Sequence, residues 1–204
     1  METNPRMKVG IIGAGNIGQA VARQMLRAGV DVTISNNRGP ELLAETVRAI
    51  GQGLRAGTVT EAASTDIVVL AVPWDSMRDA LGTLPSLKGC IVIDAMNPIL
   101  QPGFRMAELG GKWSTEIVAE LLPGAHVVKA LNTLPPQVLG SNPRQGGGRR
   151  VIFMSGDDAG AKSQVAQLLE RVGFAVVDLG TLAAGAGLQQ FPGGPLPTLN
   201  LIKL

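Results

Sequence analysis

No tyrosine occurs anywhere in this chain, and it has a single histidine, His126, and a single cysteine, Cys90. Each shortage removes chemistry. Without tyrosine and with one histidine, most of the usual general acids are missing, and a metal site built from histidine and cysteine has too few ligands. One cysteine excludes an intramolecular disulfide, which fits a reducing, cytoplasmic setting. Long apolar runs are also lacking. The longest, Ile67 to Val72, is far short of the roughly 20 residues that span a bilayer, so no membrane association is expected. Met1 to Arg6 is polar and short and reads as no signal peptide. The net charge is only +2. No dense Lys/Arg stripe interleaved with aromatics is present, so nucleic acid is not an expected partner.

What the chain has in abundance is glycine, 27 residues in 204, and three of them stand in a telling order. Val9 to Ile12 is an apolar run that breaks into Gly13-x-Gly15-Asn16-Ile17-Gly18 and then into a helical pattern. The spacing predicts a strand from Lys8 to Ile12 turning sharply into a helix over Asn16 to Ala28. Gly13 permits the turn, Gly15 leaves room for a pyrophosphate to approach the backbone, and Gly18 lets the helix lie close to the strands. The free N–H groups at the helix start form an anion site. Gly29 and a second strand, Asp31 to Ser35, complete a βαβ unit, the context that the motif needs.

About twenty residues past the glycines, an NAD enzyme usually places a carboxylate on the ribose 2′-hydroxyl. Here the segment is Ser35-Asn36-Asn37-Arg38. Small hydrogen-bonding residues and an arginine suit a 2′-phosphate, so NADP (NADPH) is the expected cofactor. Pro40 suits the first turn of a helix over Glu41 to Ile50.

Further strands end near one rim. Asp66 to Val72 reads as a parallel strand buried on both faces, leading to Ala71-Val72-Pro73-Trp74. Cys90 to Asp94 ends in Asn97-Pro98, and His126 to Leu131 ends in Asn132-Thr133. Open α/β sheets bind ligands outside such carboxyl ends. Ala71, Val72, Pro73 and Asn97 are therefore expected beside the cofactor. The segment from Pro98 to Lys112 is long enough for a substrate loop. Lys129, inside an apolar strand, is open between a buried catalytic lysine and a paired structural one, the latter favoured. Gly140 to Arg150 reads as a flexible loop; Arg144, Arg149 and Arg150 either grip a substrate or are simply solvated. A strand over Val151 to Met154, a helix over Ala159 to Val172 capped by Asp157 and Asp158, and a strand over Phe174 to Asp178 follow. The leucines of the last nine residues call for burial against the body or a second subunit.

The expected fold is α/β, a Rossmann-type doubly wound, mainly parallel sheet with a small C-terminal α/β extension. Residues 1–131 would form the dinucleotide domain and 132–204 a subdomain packed on it as one compact unit.

Taken in order, Gly13-x-Gly15-Asn16-x-Gly18, Ser35-Asn36-Asn37-Arg38-Gly39-Pro40-Glu41, Ala71-Val72-Pro73-Trp74, Asp94-Ala95-Met96-Asn97-Pro98, Lys129-Ala130-Leu131-Asn132-Thr133-Leu134 and Ser155-Gly156-Asp157-Asp158 resemble the deazaflavin-dependent NADP oxidoreductases. In that family a hydride passes between NADP(H) and 8-hydroxy-5-deazaflavin. The resemblance implies that the glycine turn and Ser35 to Arg38 hold NADP. It also implies that Asn97, Asn132 and Thr133 lie beside the hydride acceptor. Cytosolic domains of membrane ferric reductases are similar in the first half. The poverty of acids agrees with transfer between two redox rings, where the cofactors carry the chemistry. The acceptor is then a deazaflavin or flavin-like small molecule. Two other functions stand beside this one, an NADPH-dependent reductase of a small carbonyl, imine or quinone, and a non-catalytic NADP(H)-sensing module. A homodimer is the default assembly for such a fold.

Overall fold

A computed structural model describes residues 7–204; the expectation for Met1 to Arg6 lies outside the described residues. The first βαβ unit is β1 (Lys8–Ile12), α1 (Asn16–Arg27) and β2 (Asp31–Ser35), and the chain continues through α2 (Ala44–Ile50), β3 (Leu54–Ala56) and α3 (Val59–Ala63). Next come β4 (Ile67–Leu70), α4 (Met77–Gly82), β5 (Ile91–Asp94), the small hairpin β6 (Ile99–Leu100) and β7 (Arg105–Met106), α5 (Ser114–Leu121) and β8 (His126–Ala130). The remainder comprises α6 (Pro136–Leu139), β9 (Arg144–Gln145), β10 (Gly148–Gly156), α7 (Ala159–Val172), β11 (Ala175–Asp178), α8 (Leu182–Gln189) and β12 (Ile202–Lys203).

Six strands lie parallel in the order β3-β2-β1-β4-β5-β8, the order of a Rossmann sheet. Strand β10 then joins β8 antiparallel, and β11 pairs parallel with β10. The expected fold class, a doubly wound parallel sheet with a C-terminal extension, is what forms. Both faces are covered, as continuous apolar strands require. Val9, Ile11, Ile67, Val69 and Ile93 pack with α1 and α7 on one face. Ile12, Val68, Leu70 and Val92 pack with α4 and α5 on the other. Helix α3 sits so close to β1 that a side chain at Gly10 would run into the Ala62 carbonyl. Its start is set by a reciprocal cap, in which Glu61 N donates to the Thr58 hydroxyl at 3.1 Å and Thr58 N donates to the Glu61 carboxylate at 2.8 Å.

Several elements differ from the sequence reading, each for a local reason. The helix expected over Glu41 to Ile50 begins as a 3-10 turn at Pro40–Leu43 before becoming α-helical, a common entry for a short helix. Gly140 to Arg150 is not a flexible loop. Gly146 and Gly147, with φ of +58° and +80°, make the two-residue turn of a hairpin pairing Gln145 with Gly148, a geometry that needs positive φ at both positions. Arg150 is buried there, donating to Asn200 Oδ1, Gln145 Oε1 and the Ser141 hydroxyl, and to the carbonyls of Val138 and Asn142. Its guanidinium is engaged by these partners and holds the C-terminal segment together. Helix α8 escaped the sequence reading because of its glycines. Gly185 and Gly187 are there because added side chains would meet Ser155 and the Trp113 ring. The leucine-rich tail is not buried as a cluster. Strand β12 pairs with β10 at Arg149 and Arg150, while Leu199, Leu201 and Leu204 are exposed. Among the described residues, no helix is long and apolar enough to cross a membrane.

Lys129 takes the paired structural role. It faces Asp94 across the parallel β5–β8 ladder, and both side chains are buried. The ammonium donates to Asp94 Oδ2 at 3.0 Å and to the Met96 carbonyl. Burial pushes the Lys129 pKa down, and the Asp94 charge opposes that shift. Removing one partner of such a pair strands the other charge, at a cost of about 3–5 kcal/mol. Lys129→Met is therefore expected to lower the unfolding free energy by that amount at neutral pH. Adding Asp94→Asn should restore at least about 1 kcal/mol, read as the shift in urea midpoint.

Candidate functional site

The carboxyl ends of β1, β2, β4 and β5 surround a cavity of about 760 Å3, a size suited to a cofactor. Its floor is the glycine turn. Gly13 has φ of +113°, and a side chain there would collide with the Ala71 carbonyl; at Gly18 one would collide with the carbonyl of Gly13. Gly15 differs from both, since a Cβ added to it meets nothing within 4 Å. Tight turn, open approach and close packing are thus divided among the three glycines as the motif implies. Helix α1 begins at Asn16 with Gly15 as its N-cap, and its free N–H groups open on the cavity floor. A pyrophosphate therefore fits the space above Gly15.

Asn36 and Asn37 line one end of the cavity. Asn36 Oδ1 accepts from the Arg38 N–H at 2.9 Å, which folds the segment into a tight Asx turn and leaves the Arg38 side chain exposed. Ser35 departs from expectation. Its side chain is fully buried and donates to the Ile11 carbonyl at 3.2 Å, so it stitches β2 to β1 and does not line the cavity. Gly18 is likewise buried and acts through packing.

Ala71, Val72, Pro73 and Trp74 form the middle of the wall, with Asn16 and Ile17 nearby. Backbone bonds carry the ladder past the strand ends, with Ala71 N donating to Ile12 O at 2.8 Å and Ala95 N to Leu70 O at 3.1 Å. Ala95, Met96, Asn97, Ile99, Gln101 and Pro136 close the far end. The predicted substrate loop is in fact anchored by the β6–β7 hairpin, which brings Ile99 and Gln101 to the cavity.

Asn97 and Asn132 come together. Asn97 Nδ2 donates to the Asn132 carbonyl at 2.8 Å, and Asn132 Nδ2 donates to Asn97 Oδ1 at 3.0 Å. Only Asn97 reaches the cavity; Asn132 and Thr133 are buried behind it. Sequence reasoning also missed Gln189, fully buried at the end of α8, whose Nε2 donates to the carbonyls of Lys129 and Phe153 and whose Oε1 accepts from Ser155. The sequence signals for a buried helix end there were its place beside Gln190 and the cap at Thr181. His126, half exposed, lies 3.4 Å from Asp158, away from the cavity lining.

Fold and cavity define a Rossmann-type α/β protein with its ligand site at the carboxyl ends of the strands. Comparison with known proteins narrows this. The family model described as NADP oxidoreductase, coenzyme F420-dependent, matches residues 8–98. A crystal structure of a hypothetical protein from Sinorhizobium meliloti is 47% identical, covers 98% of this chain and 97% of that one, and superposes with a TM-score of 0.91. A candidate F420-dependent NADP reductase from Arthrobacter sp. FB24 is 29% identical over 90% of this chain and 89% of its own, with a TM-score of 0.77. Rat metalloreductase STEAP3 is 28% identical over 97% of this chain, which spans only 38% of that protein's length. Over residues 8–98 the chain is thus similar to the coenzyme F420-dependent NADP oxidoreductase family, and over nearly its whole length to one structure whose function its name does not give.

The glycines give a clean contrast. Gly18→Ala is expected to cost about 1–3 kcal/mol through overpacking, whereas Gly15→Ala should stay within about 1 kcal/mol of the parent, its cost confined to the helix cap. Paired urea melts of the two variants check this.

Proposed function

We propose that the protein is an NADP(H)-dependent oxidoreductase that passes a hydride between the nicotinamide and a deazaflavin or flavin-like ring. One observation carries the reading. None of the residues lining the cavity has a titratable side chain. A carbonyl or imine reductase needs a proton donor of matched pKa, and the lining offers none. Ring-to-ring hydride transfer asks the protein mainly for position and electrostatics, which a neutral, largely apolar wall supplies.

The residues present fit NADP. The turn at Gly13 to Gly18 would hold the pyrophosphate, Asn36, Asn37 and Arg38 the 2′-phosphate, and Ala71 to Pro73 the ribose side. Ala95 to Asn97 would lie against the reactive ring. When bound, the cofactor supplies the hydride; the chain orients it and keeps water from the apolar wall. The homodimer is part of the same proposal, supported by the exposed Leu199, Leu201 and Leu204.

Hydrogen bonds to charged groups are worth about 1.5–3 kcal/mol, or about 10- to 100-fold in affinity. Arg38→Ala is accordingly expected to weaken NADPH binding by that factor and NADH binding by less than about 3-fold in a fluorescence titration. In an acceptor scan followed by nicotinamide absorbance, NADPH oxidation should require an added deazaflavin or flavin. Full turnover of a small carbonyl or imine without one would overturn the proposal.

A further inference from the structure

We propose that Asn97 is locked as a hydrogen-bond donor toward the cavity, that Asn132 is the positioning residue that locks it, and that the reacting end therefore receives a carbonyl oxygen of its ligand. The inference rests on the hydride-transfer reading above.

The orientation of the Asn97 amide is settled by groups that cannot change roles. The Phe191 backbone N–H, which can only donate, points at Asn97 Oδ1 at 3.2 Å. The Asn132 backbone carbonyl, which can only accept, takes a hydrogen from Asn97 Nδ2 at 2.8 Å. Asn132 is fixed in the same way, because its Nδ2 donates to the Gln189 carbonyl at 2.7 Å and spends its other hydrogen on Asn97 Oδ1 at 3.0 Å. Reversing the Asn97 amide would set N–H against N–H at two contacts and carbonyl against carbonyl at a third. A primary amide has two hydrogens, and one of those on Asn97 Nδ2 goes to Asn132. Asn97 is the member of this cluster that lines the cavity. What it offers a ligand is one N–H and no lone pair from a free oxygen.

The support behind Asn97 is strained and deliberate. Leu131, fully buried, has φ of +67°, a left-handed conformation costly for a residue with a Cβ. It turns the chain out of β8 so that Asn132 faces Asn97. On the near side, Lys129 and Asp94 pin the preceding residue, with Met96 N donating to Asp94 Oδ1 at 2.9 Å and Lys129 donating to Met96 O. Asn97 is thus held from β5, β8 and the end of α8 together.

The chemistry follows from polarity. When an acceptor ring gains a hydride, one C–H bond of the nicotinamide breaks and one new bond to hydrogen forms on the ring. The electron pair leaves negative charge on the ring's conjugated carbonyl oxygen, and a proton from water later neutralises it. A fixed N–H aimed at that oxygen stabilises the charge as it develops. The nicotinamide carboxamide offers the same kind of oxygen, so the two sources must be separated by experiment.

Side-chain amide resonances of the 15N-labelled protein read this directly. On saturation with NADPH, or only on adding oxidised deazaflavin or riboflavin to the NADP+ complex, a pair with no hydride to transfer, one Asn97 side-chain proton should move downfield while the proton bonded to Asn132 stays in place. The first outcome assigns the oxygen to the nicotinamide and the second to the acceptor. Asn97→Asp, which replaces the donor by an acceptor, should lower kcat about 100-fold with the NADPH Kd changed less than about 3-fold. Asn132→Ala should lower kcat about 10-fold with little effect on KM, and Asn97→Ala/Asn132→Ala should be no slower than Asn97→Ala, as expected for residues acting in series. If the Gly15 backbone resonance shifts with NADPH but neither Asn97 proton moves in either arm, or if Asn97→Asp keeps its kcat, the inference is overturned and the cofactor assignment stands. If the Gly15 resonance does not move at all, both fall.

Discussion

Strands β5 and β8 meet at a buried ion pair, and the rest of the site depends on that seam. Asp94 and Lys129 are direct partners in the parallel ladder. Below them lies the conventional dinucleotide half; beyond β8 the sheet reverses direction into β10. Two charges buried side by side tolerate little slippage, because any displacement exposes an uncompensated charge to an apolar interior. The register that the pair enforces also sets the height of Met96, and so of Asn97, at the cavity wall.

The chemical character of the site comes from what the wall leaves out. The buried pair Lys129 and Asp94 is folded inward behind Met96, and no residue lining the cavity is charged. What remains is backbone N–H at the start of α1, a few neutral amides and an apolar surface. Such a lining suits the proposed role of orienting a redox ring, because it does not compete for the ring's protons. The same economy explains the C-terminal extension, whose contribution at the wall is to fix the amide of Asn97 through Asn132, Gln189 and Phe191.

Much of this was legible in the residues. The strands β1, β2 and β4 and the helices α1 and α7 follow from apolar periodicity and caps. The family resemblance rests on motifs that fall at strand ends. The hairpin turn at Gly146-Gly147 was read as a flexible loop, although two glycines between short polar strands are a turn signal in themselves. Helix α8 was not readable, because Gly185 and Gly187 lower helix propensity for the sake of contacts with Ser155 and Trp113 that only the folded chain contains.

The sequence by itself determined the βαβ start, the glycine turn and the polar segment after β2, because local sterics and short-range hydrogen bonding are complete within a few residues. Tertiary structure alone decided which strand-end residues face the cavity. Ser35 and Asn132 looked as available as Asn36 and Asn97, yet burial and partners more than twenty residues away turned the first pair inward. Side-chain direction at a strand end depends on what neighbouring strands and the C-terminal helix supply as hydrogen-bond partners, and no local pattern encodes that.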